Sequence, residues 1–372
     1  KSSGVLILLC TLVSLAIANS PFSDPYLHFW HHQILGLSVE QWVNDGLMAI
    51  FFLFIGLELE RELYSGELSD FRNALLPIFA AAGGIALPAL IHFSLNMGMP
   101  TQVGMGIPMA TDIAFALGVL ALLGSRVPVS LKIFLTALAV MDDLGAIIVI
   151  AVFYTKSLST AHLMAAIGVF FLMVAMNRTL RIIALLPYLI GGAIMWYLML
   201  KSGVHATIAG VMLAFAIPFW SRDDQPSPSH TLENALHKPV AFIVLPLFAL
   251  ANTGVMLSGD LMAGLLGPNS LGIIAGLLVG KPIGVFVMSA IAVGLGLCKL
   301  PPDLKWRHLM GAGILGGIGF TMSIFITNLA FGNDELSISA SKIAIFCASL
   351  VAGLAGVLWL RLCGAPMQEN LP

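Results

Sequence analysis

Residues 131–154 read LKIFLTALAVMDDLGAIIVIAVFY, and past the first turn the only charged side chains are Asp142 and Asp143, near the middle. A helix needs about 20 predominantly apolar residues to cross the hydrocarbon core of a bilayer, and this stretch has that length and character. A charged side chain at bilayer depth costs about 2.5 kcal/mol or more, so an acidic pair there points to function. The stretch is read as a transmembrane helix carrying a buried pair of carboxylates.

The rest of the chain agrees with that reading. Of 372 residues, 59% are apolar before the 37 glycines are counted, 10% are charged, and the mean hydropathy is +0.98. Soluble domains carry roughly 25% charged residues. A chain this apolar cannot cover a water-facing surface, which excludes an ordinary cytosolic enzyme. The 17 Lys and Arg against 19 Asp and Glu leave a net charge of -2, so no nucleic-acid partner is expected. Cys10, Cys298, Cys347 and Cys363 lie scattered in or beside apolar runs without a C-x-x-C pair and read as small hydrophobes.

Twelve candidate spans follow, at residues 4–19, 42–60, 74–95, 104–123, 131–154, 161–176, 182–200, 203–219, 240–257, 270–297, 309–331 and 342–363. Lys1 and the apolar run ending Ala16-Ile-Ala18 have the outline of a secretory leader, but the run is read as a span. The expected fold is an all-α polytopic membrane protein, with residues 1–372 forming a single membrane domain. The longest connection, residues 220–239, contains Pro226 and Pro228 and is read as a cytoplasmic loop with a helix starting near Thr231.

Cation placement sets the expected orientation. Connections after even-numbered spans, with the two ends, carry 13 Lys and Arg: Lys1, Arg61, Arg72, Arg126, Lys132, Arg178, Arg181, Arg222, Lys238, Lys299, Lys305, Arg307 and Arg361. The other side carries 3: Lys156, Lys201 and Lys342. The bias places both termini in the cytoplasm.

Five ionisable groups fall inside spans: Asp45, Asp112, Asp142, Asp143 and Lys281. Successive residues on a helix point about 100° apart, so Asp142 and Asp143 can flank one cavity with different partners. Deprived of water, such a pair takes up protons or a small hard cation, which prefers oxygen ligands. Competition between the two is exchange. Lys281 is the one cation far from any interface, and its expected partner is a span-five aspartate.

Two spans look interrupted. Pro108-Met-Ala-Thr-Asp-Ile113 sets a proline and a buried Thr-Asp pair, Thr111 and Asp112, where a helix is weak. Gly311-Ala-Gly-Ile-Leu-Gly-Gly-Ile-Gly319 holds five glycines in nine residues, Gly316, Gly317 and Gly319 among them. Paired breaks in two halves mark a transporter's binding site, and the matching units are residues 74–154 and 270–363. If the breaks cross, Asp112 offsets converging helix N-termini and Lys281 the negative ends. The glycines also suit close helix packing, and Gly313 with Gly317 forms G-x-x-x-G. A dinucleotide reading of Gly311, Gly313 and Gly316 fails because no strand precedes them.

Taken together these residues resemble the NhaA-type sodium/proton antiporters. The likeness runs from about residue 42 to 360: Asn44-Asp45, Gly56-Leu-Glu-Leu-Glu-Arg-Glu62, Ala110-Thr-Asp-Ile-Ala-Phe-Ala-Leu-Gly118, Gly124-Ser-Arg-Val-Pro128 and Met141-Asp-Asp-Leu-Gly-Ala146. It continues through Lys201-Ser-Gly-Val-His-Ala-Thr207, Gly280-Lys-Pro282 and Gly316-Gly-Ile-Gly-Phe-Thr-Met-Ser-Ile-Phe325. The resemblance implies twelve helices with an inverted repeat and two discontinuous helices crossing near the midplane. It implies an ion site for Na+ or Li+ at Asp142 and Asp143, with Thr111 and Asp112 close by, and Lys281 exchanging between a carboxylate and solvent. No cofactor is implied. The implied activity is electrogenic export of sodium or lithium against more than one proton.

It also implies a pH-responsive cytoplasmic entrance made by Glu58, Arg61, Glu62, Glu233 and His237. The chain departs from the family pattern at Asn234, where a second histidine is familiar, and at Ser227-Pro-Ser-His230, which is not basic. Between Asn19 and Trp42 no alternating strand pair with a turn signal is visible, so homodimerisation is expected to rest on helix packing or to be weak. His28, His31 and His32 beside Tyr26, Phe29 and Trp30 read as an interfacial belt rather than a metal site, and His205 as a packing or hydrogen-bonding residue. The rival readings are a sodium-coupled symporter, a channel on a similar scaffold, and an intramembrane aspartyl protease pairing Asp112 with Asp142.

Overall fold

A computed structural model describes residues 2–66, 69–154, 158–220, 226–257, 264–332 and 334–363. Lys1, Lys156 and Arg222, used above for orientation, lie outside the described residues, as do 221–225 of the expected loop. The protein is helical: α1 Ser2–Ala18, α2 Ser23–His31, α3 Val39–Ser65, α4 Phe71–Leu95, α5 Ile113–Ala121, α6 Val129–Phe153 and α7 Thr160–Arg178. The chain continues with α8 Leu185–Ser202, α9 Ile208–Ala216, α10 Pro228–Asn252, α11 Pro268–Gly294, α12 Trp306–Gly316, α13 Phe320–Phe331 and α14 Glu335–Cys363. A 3-10 helix, Pro100–Met109, precedes α5.

Among the described residues, nine helices are long and apolar enough to cross a membrane, and two bent pairs, α1 with α2 and α12 with α13, bring the number to eleven. The remaining expected span, 203–219, holds only the nine-residue α9. Its ends explain its shortness. Gly203, at φ +83, closes α8 in the left-handed conformation that glycine adopts without strain. Ile217, forced extended by Pro218, closes α9. Large apolar side chains stand exposed along the helices, Leu350, Leu354 and Leu358 on α14 among them, as a lipid-facing surface requires.

Two expectations need correction. The helix of the 220–239 segment begins at Pro228, not near Thr231, because Ser227 accepts the His230 N–H at 3.2 Å and Pro228 takes the first helical position. A hairpin also exists between Asn19 and Trp42: β1 Gln33–Ile34 pairs antiparallel with β2 Leu37–Ser38. Leu35 (φ +54) and Gly36 (φ +82) make its two-residue turn. Strands of two residues cannot display alternation, and Leu-Gly is not the Asn-Gly or Asp-Gly that announces this turn. Near the hairpin, Trp30 meets Tyr26 and Phe29 edge-on, while His31 lies 3.8 Å from Glu40.

The chain forms two compact units, Lys1–Gly4 with Glu67–Ala146 and Met256–Pro372, and Val5–Gly66 with Ile147–Val255. In the first, α4 and α11 touch backbone to backbone. A Cβ on Gly83 or Gly284 would lie 2.1 Å from the other's carbonyl oxygen. Gly276, Gly280 and Gly284 recur every fourth residue and present one bare stripe to Pro108, Pro88 and Gly83. The stripe includes a π-helical turn, Gly276–Gly280, immediately before Lys281, and such wide turns often sit at functional positions. In the second unit, Tyr188, Met195, Leu57 and Leu213 anchor the core, and the Tyr188 hydroxyl donates to Ile182 O at 2.9 Å.

Candidate ion-binding site

Both expected breaks are present in the first unit. After Met109 the backbone is extended at Ala110 (ψ 148°) and remains non-helical to Asp112, which caps α5. Between α12 and α13 the chain bends by 48° across Gly317–Gly319. The two breaks meet: the Asp112 N–H donates to Ile318 O at 2.7 Å. Gly317 is required there, because a Cβ would lie 2.4 Å from Leu277 O, and on Gly319 one would lie 2.2 Å from Ser323 Oγ. Packing and breakage turn out to divide the glycine run, since Gly313 abuts Pro282 and Gly311 abuts Leu360.

Four helix ends converge on this crossing, and side chains answer each sign. The Asp112 carboxylate accepts the Phe115 N–H at 3.1 Å, at the start of α5, and the Thr321 N–H at 3.1 Å, at the start of α13. Thr321 Oγ1 donates to the same carboxylate. An anion between two helix N-termini is the arrangement their dipoles favour. At the opposite ends, Lys281 Nζ donates to the Met109 carbonyl, the last of the 3-10 helix. Thr111 Oγ1 lies 2.9 Å from Gly316 O, the last carbonyl of α12.

Asp142 reaches this region from α6, and its neighbour Asp143 is, like it, fully buried. Of the two, Asp142 receives Lys281: Nζ lies 2.6 Å from Oδ2, with both side chains at 0% exposure. Thr111 Oγ1 is also 2.7 Å from that oxygen, so its single proton is contested by Asp142 and Gly316. Among the described residues Asp142 Oδ1 has no hydrogen-bond partner. One carboxylate oxygen is thus neutralised by an ammonium, while the other can take a proton or ligate a cation. Asp112 and Asp142 do not hydrogen-bond each other, each being held by its own donors.

A second charged cluster lies in the other unit. Arg61 on α3 is 2.5 Å from Glu233 Oε1 on α10, 3.0 Å from Glu62 and 3.7 Å from Glu58. His237 is not among them; its ring meets Phe54 edge-on at 5.8 Å. His230 takes the place beside Glu233, 3.5 Å from Oε2. The neighbouring Glu60, buried, accepts the Ser229 hydroxyl at 2.7 Å. A start at Pro228 sets His230 three residues before Glu233 on one helix face, which a start at Thr231 hid.

Asp45 lies half-buried in a π-helical turn, Trp42–Leu47, where its carbonyl accepts the Trp196 indole N–H at 2.8 Å. Beside it Asn44 and Asn252 exchange amide hydrogen bonds of 3.2 and 2.8 Å. His205 Nε2 sits 3.0 Å from Tyr154 O. Sequence reading passed over Thr321, Ser323, Asn252 and His230. For Thr321 and Ser323 a signal was available, as hydroxyls two and four residues beyond Gly319 fall in the first turn of any helix that starts there.

Comparison with known proteins places this geometry in a family. Residues 1–360 match the sequence model of the family described as Na+/H+ antiporter 1. The chain is 68% identical over 361 residues to a Na+/H+ antiporter NhaA of Dechloromonas aromatica, covering 97% of this chain and 93% of that protein. It is 58% identical, with the same coverage, to one from Flavobacterium psychrophilum. A third, from Mesorhizobium japonicum, is 50% identical over 370 residues, 98% of this chain and 93% of the relative. The chain belongs to the Na+/H+ antiporter 1 family, whose NhaA members are secondary active transporters and not enzymes.

Proposed function

We infer that this protein is an electrogenic Na+(Li+)/H+ antiporter of a bacterial inner membrane, expelling sodium in exchange for protons and switched by pH. The observation that carries the reading is the fully buried Lys281–Asp142 pair, with Asp142 Oδ1 buried and unpaired among the described residues. A monovalent cation entering among Asp142, Asp143 and Thr111 takes the carboxylate charge that ammonium and protons otherwise satisfy, so Lys281 is released and protons leave. Reversal on the opposite side, with the site opened there, completes exchange. The crossing supports the reading, since Asp112, Lys281 and Thr111 hold four helix ends together beside the buried Asp142 carboxylate. Residues 74–154 and 270–363 are read as the inverted repeat that contributes the two breaks. Both termini and the 220–239 connection are read as cytoplasmic, on the cation bias of the connections.

Calorimetry of sodium binding to detergent-solubilised protein, in buffers of different ionisation enthalpy and at several pH values, tests the exchange. Proton release on binding is expected, fading as the pH rises and the carboxyl groups empty beforehand. Currents on solid-supported membranes should accompany transport. Sodium binding without proton release, or transport without current, contradicts antiport or its electrogenicity respectively.

The Glu58–Arg61–Glu62–Glu233 cluster is read as the pH-responsive entrance, with His230 as its imidazole and His237 outside it. Glu233→Gln removes the partner of Arg61 and His230→Gln removes the imidazole beside Glu233, and each should move the midpoint of the activity–pH curve by about one unit. His237→Gln should not. Curves for Glu233→Gln and His230→Gln that superimpose on the parent remove the assignment.

A further inference from the structure

A cavity of about 340 Å3 opens in the first unit, lined by Leu122, Leu123, Arg126 and Arg361. Arg126 ends the 3-10 turn Gly124–Arg126 that follows α5, where Gly124 at φ +58 reverses the chain. Arg361 comes from the last turn of α14. Among the described residues no carboxylate is ion-paired with either guanidinium. A cation near a helix C-terminus is ordinary and accounts for each arginine singly. It does not account for two exposed arginines lining one cavity, which together give it a positive field that attracts an anion.

The chemistry of the walls names the anion. Guanidinium groups match phosphate oxygens with paired, charge-assisted hydrogen bonds, and two of them can grip one phosphodiester from two sides. The surroundings name its source. Leu122, 65% exposed, stands at the cavity, and Leu358 and Leu362 at 60% and 78% flank Arg361 along α14. In a membrane protein such side chains meet acyl chains, and the cavity sits where membrane helices end, at the level of lipid headgroups. We propose that Arg126 and Arg361 form a binding site for the phosphodiester headgroup of an anionic phospholipid. None of its lining residues belongs to the ion site described above, and the proposal does not depend on how exchange occurs.

Native mass spectrometry of the full chain in detergent, titrated with phosphatidylglycerol, phosphatidylcholine or inorganic phosphate, tests the proposal. The parent should retain phosphatidylglycerol in preference to phosphatidylcholine. Arg126→Ala with Arg361→Ala should retain one phosphatidylglycerol fewer per chain and bind the first about tenfold more weakly, leaving phosphatidylcholine unchanged. Should the double variant not fold, Arg126→Gln and Arg361→Gln singly are each expected to weaken phosphatidylglycerol alone. Variants that retain the anionic lipid as the parent does overturn the site. Retention of inorganic phosphate without preference for the anionic lipid overturns the lipid as its occupant.

Discussion

Asp142→Asn and Asp143→Asn each bring exchange to background in everted vesicles, measured as recovery of a pH-gradient dye on addition of sodium. An amide keeps the size and one acceptor of the carboxyl group but can neither titrate nor balance a cation. At Asp142 a second penalty falls on the fold, because Lys281 keeps its buried charge and loses the carboxylate 2.6 Å from it. Removing one partner of a buried pair costs about 3–5 kcal/mol. Asp142→Asn should therefore lower thermal stability in detergent as well as stop transport, whereas the double change Asp142→Asn with Lys281→Met should restore much of the stability and none of the transport. Wild-type exchange in either single variant contradicts the ion-site assignment.

Lys281→Ala separates charge coupling from architecture. The ammonium answers both Asp142 Oδ2 and the Met109 carbonyl, so its loss leaves a carboxylate to be neutralised by whatever cation is present. Protons then compete where ammonium stood, and sodium displaces them only in more alkaline solution. The expected result is an activity–pH curve displaced toward alkaline pH by about one unit or more, with fewer charges moved per cycle on a solid-supported membrane. An unchanged curve and current would show that Lys281 serves only the helix ends. Lys281→Arg distinguishes further: it restores charge but must fit a forked head against Gly316 and Gly84, which lie beside the lysine stem.

Much of the site was legible because hydrocarbon makes ionisable residues conspicuous. Asp112, Asp142, Asp143 and Lys281 needed only a span ruler to stand out, and their types alone required counter-charges. What the ruler could not do was assign partners. Lys281 had two adjacent aspartates to choose from, and helical geometry only places them on different faces. The hairpin at Leu35-Gly36 and the early start of α10 at Pro228 escaped for a related reason. Each is decided within two or three residues, below the length at which periodicity speaks, and the misplaced start left His230 off the helix that carries Glu233.

The sequence by itself determined that the chain lies in a membrane, where most of its spans run, and which few charges must be satisfied inside it, because each of those follows from transfer free energies summed over local stretches. Only the tertiary structure decided that Asp112 lies between the starts of α5 and α13, that Asp142 rather than its neighbour holds Lys281, and that Arg126 and Arg361 share one cavity. Those pairings join residues far apart in the chain. They depend on how closely backbones approach at Gly83, Gly284 and Gly317, a matter of packing that no local pattern encodes.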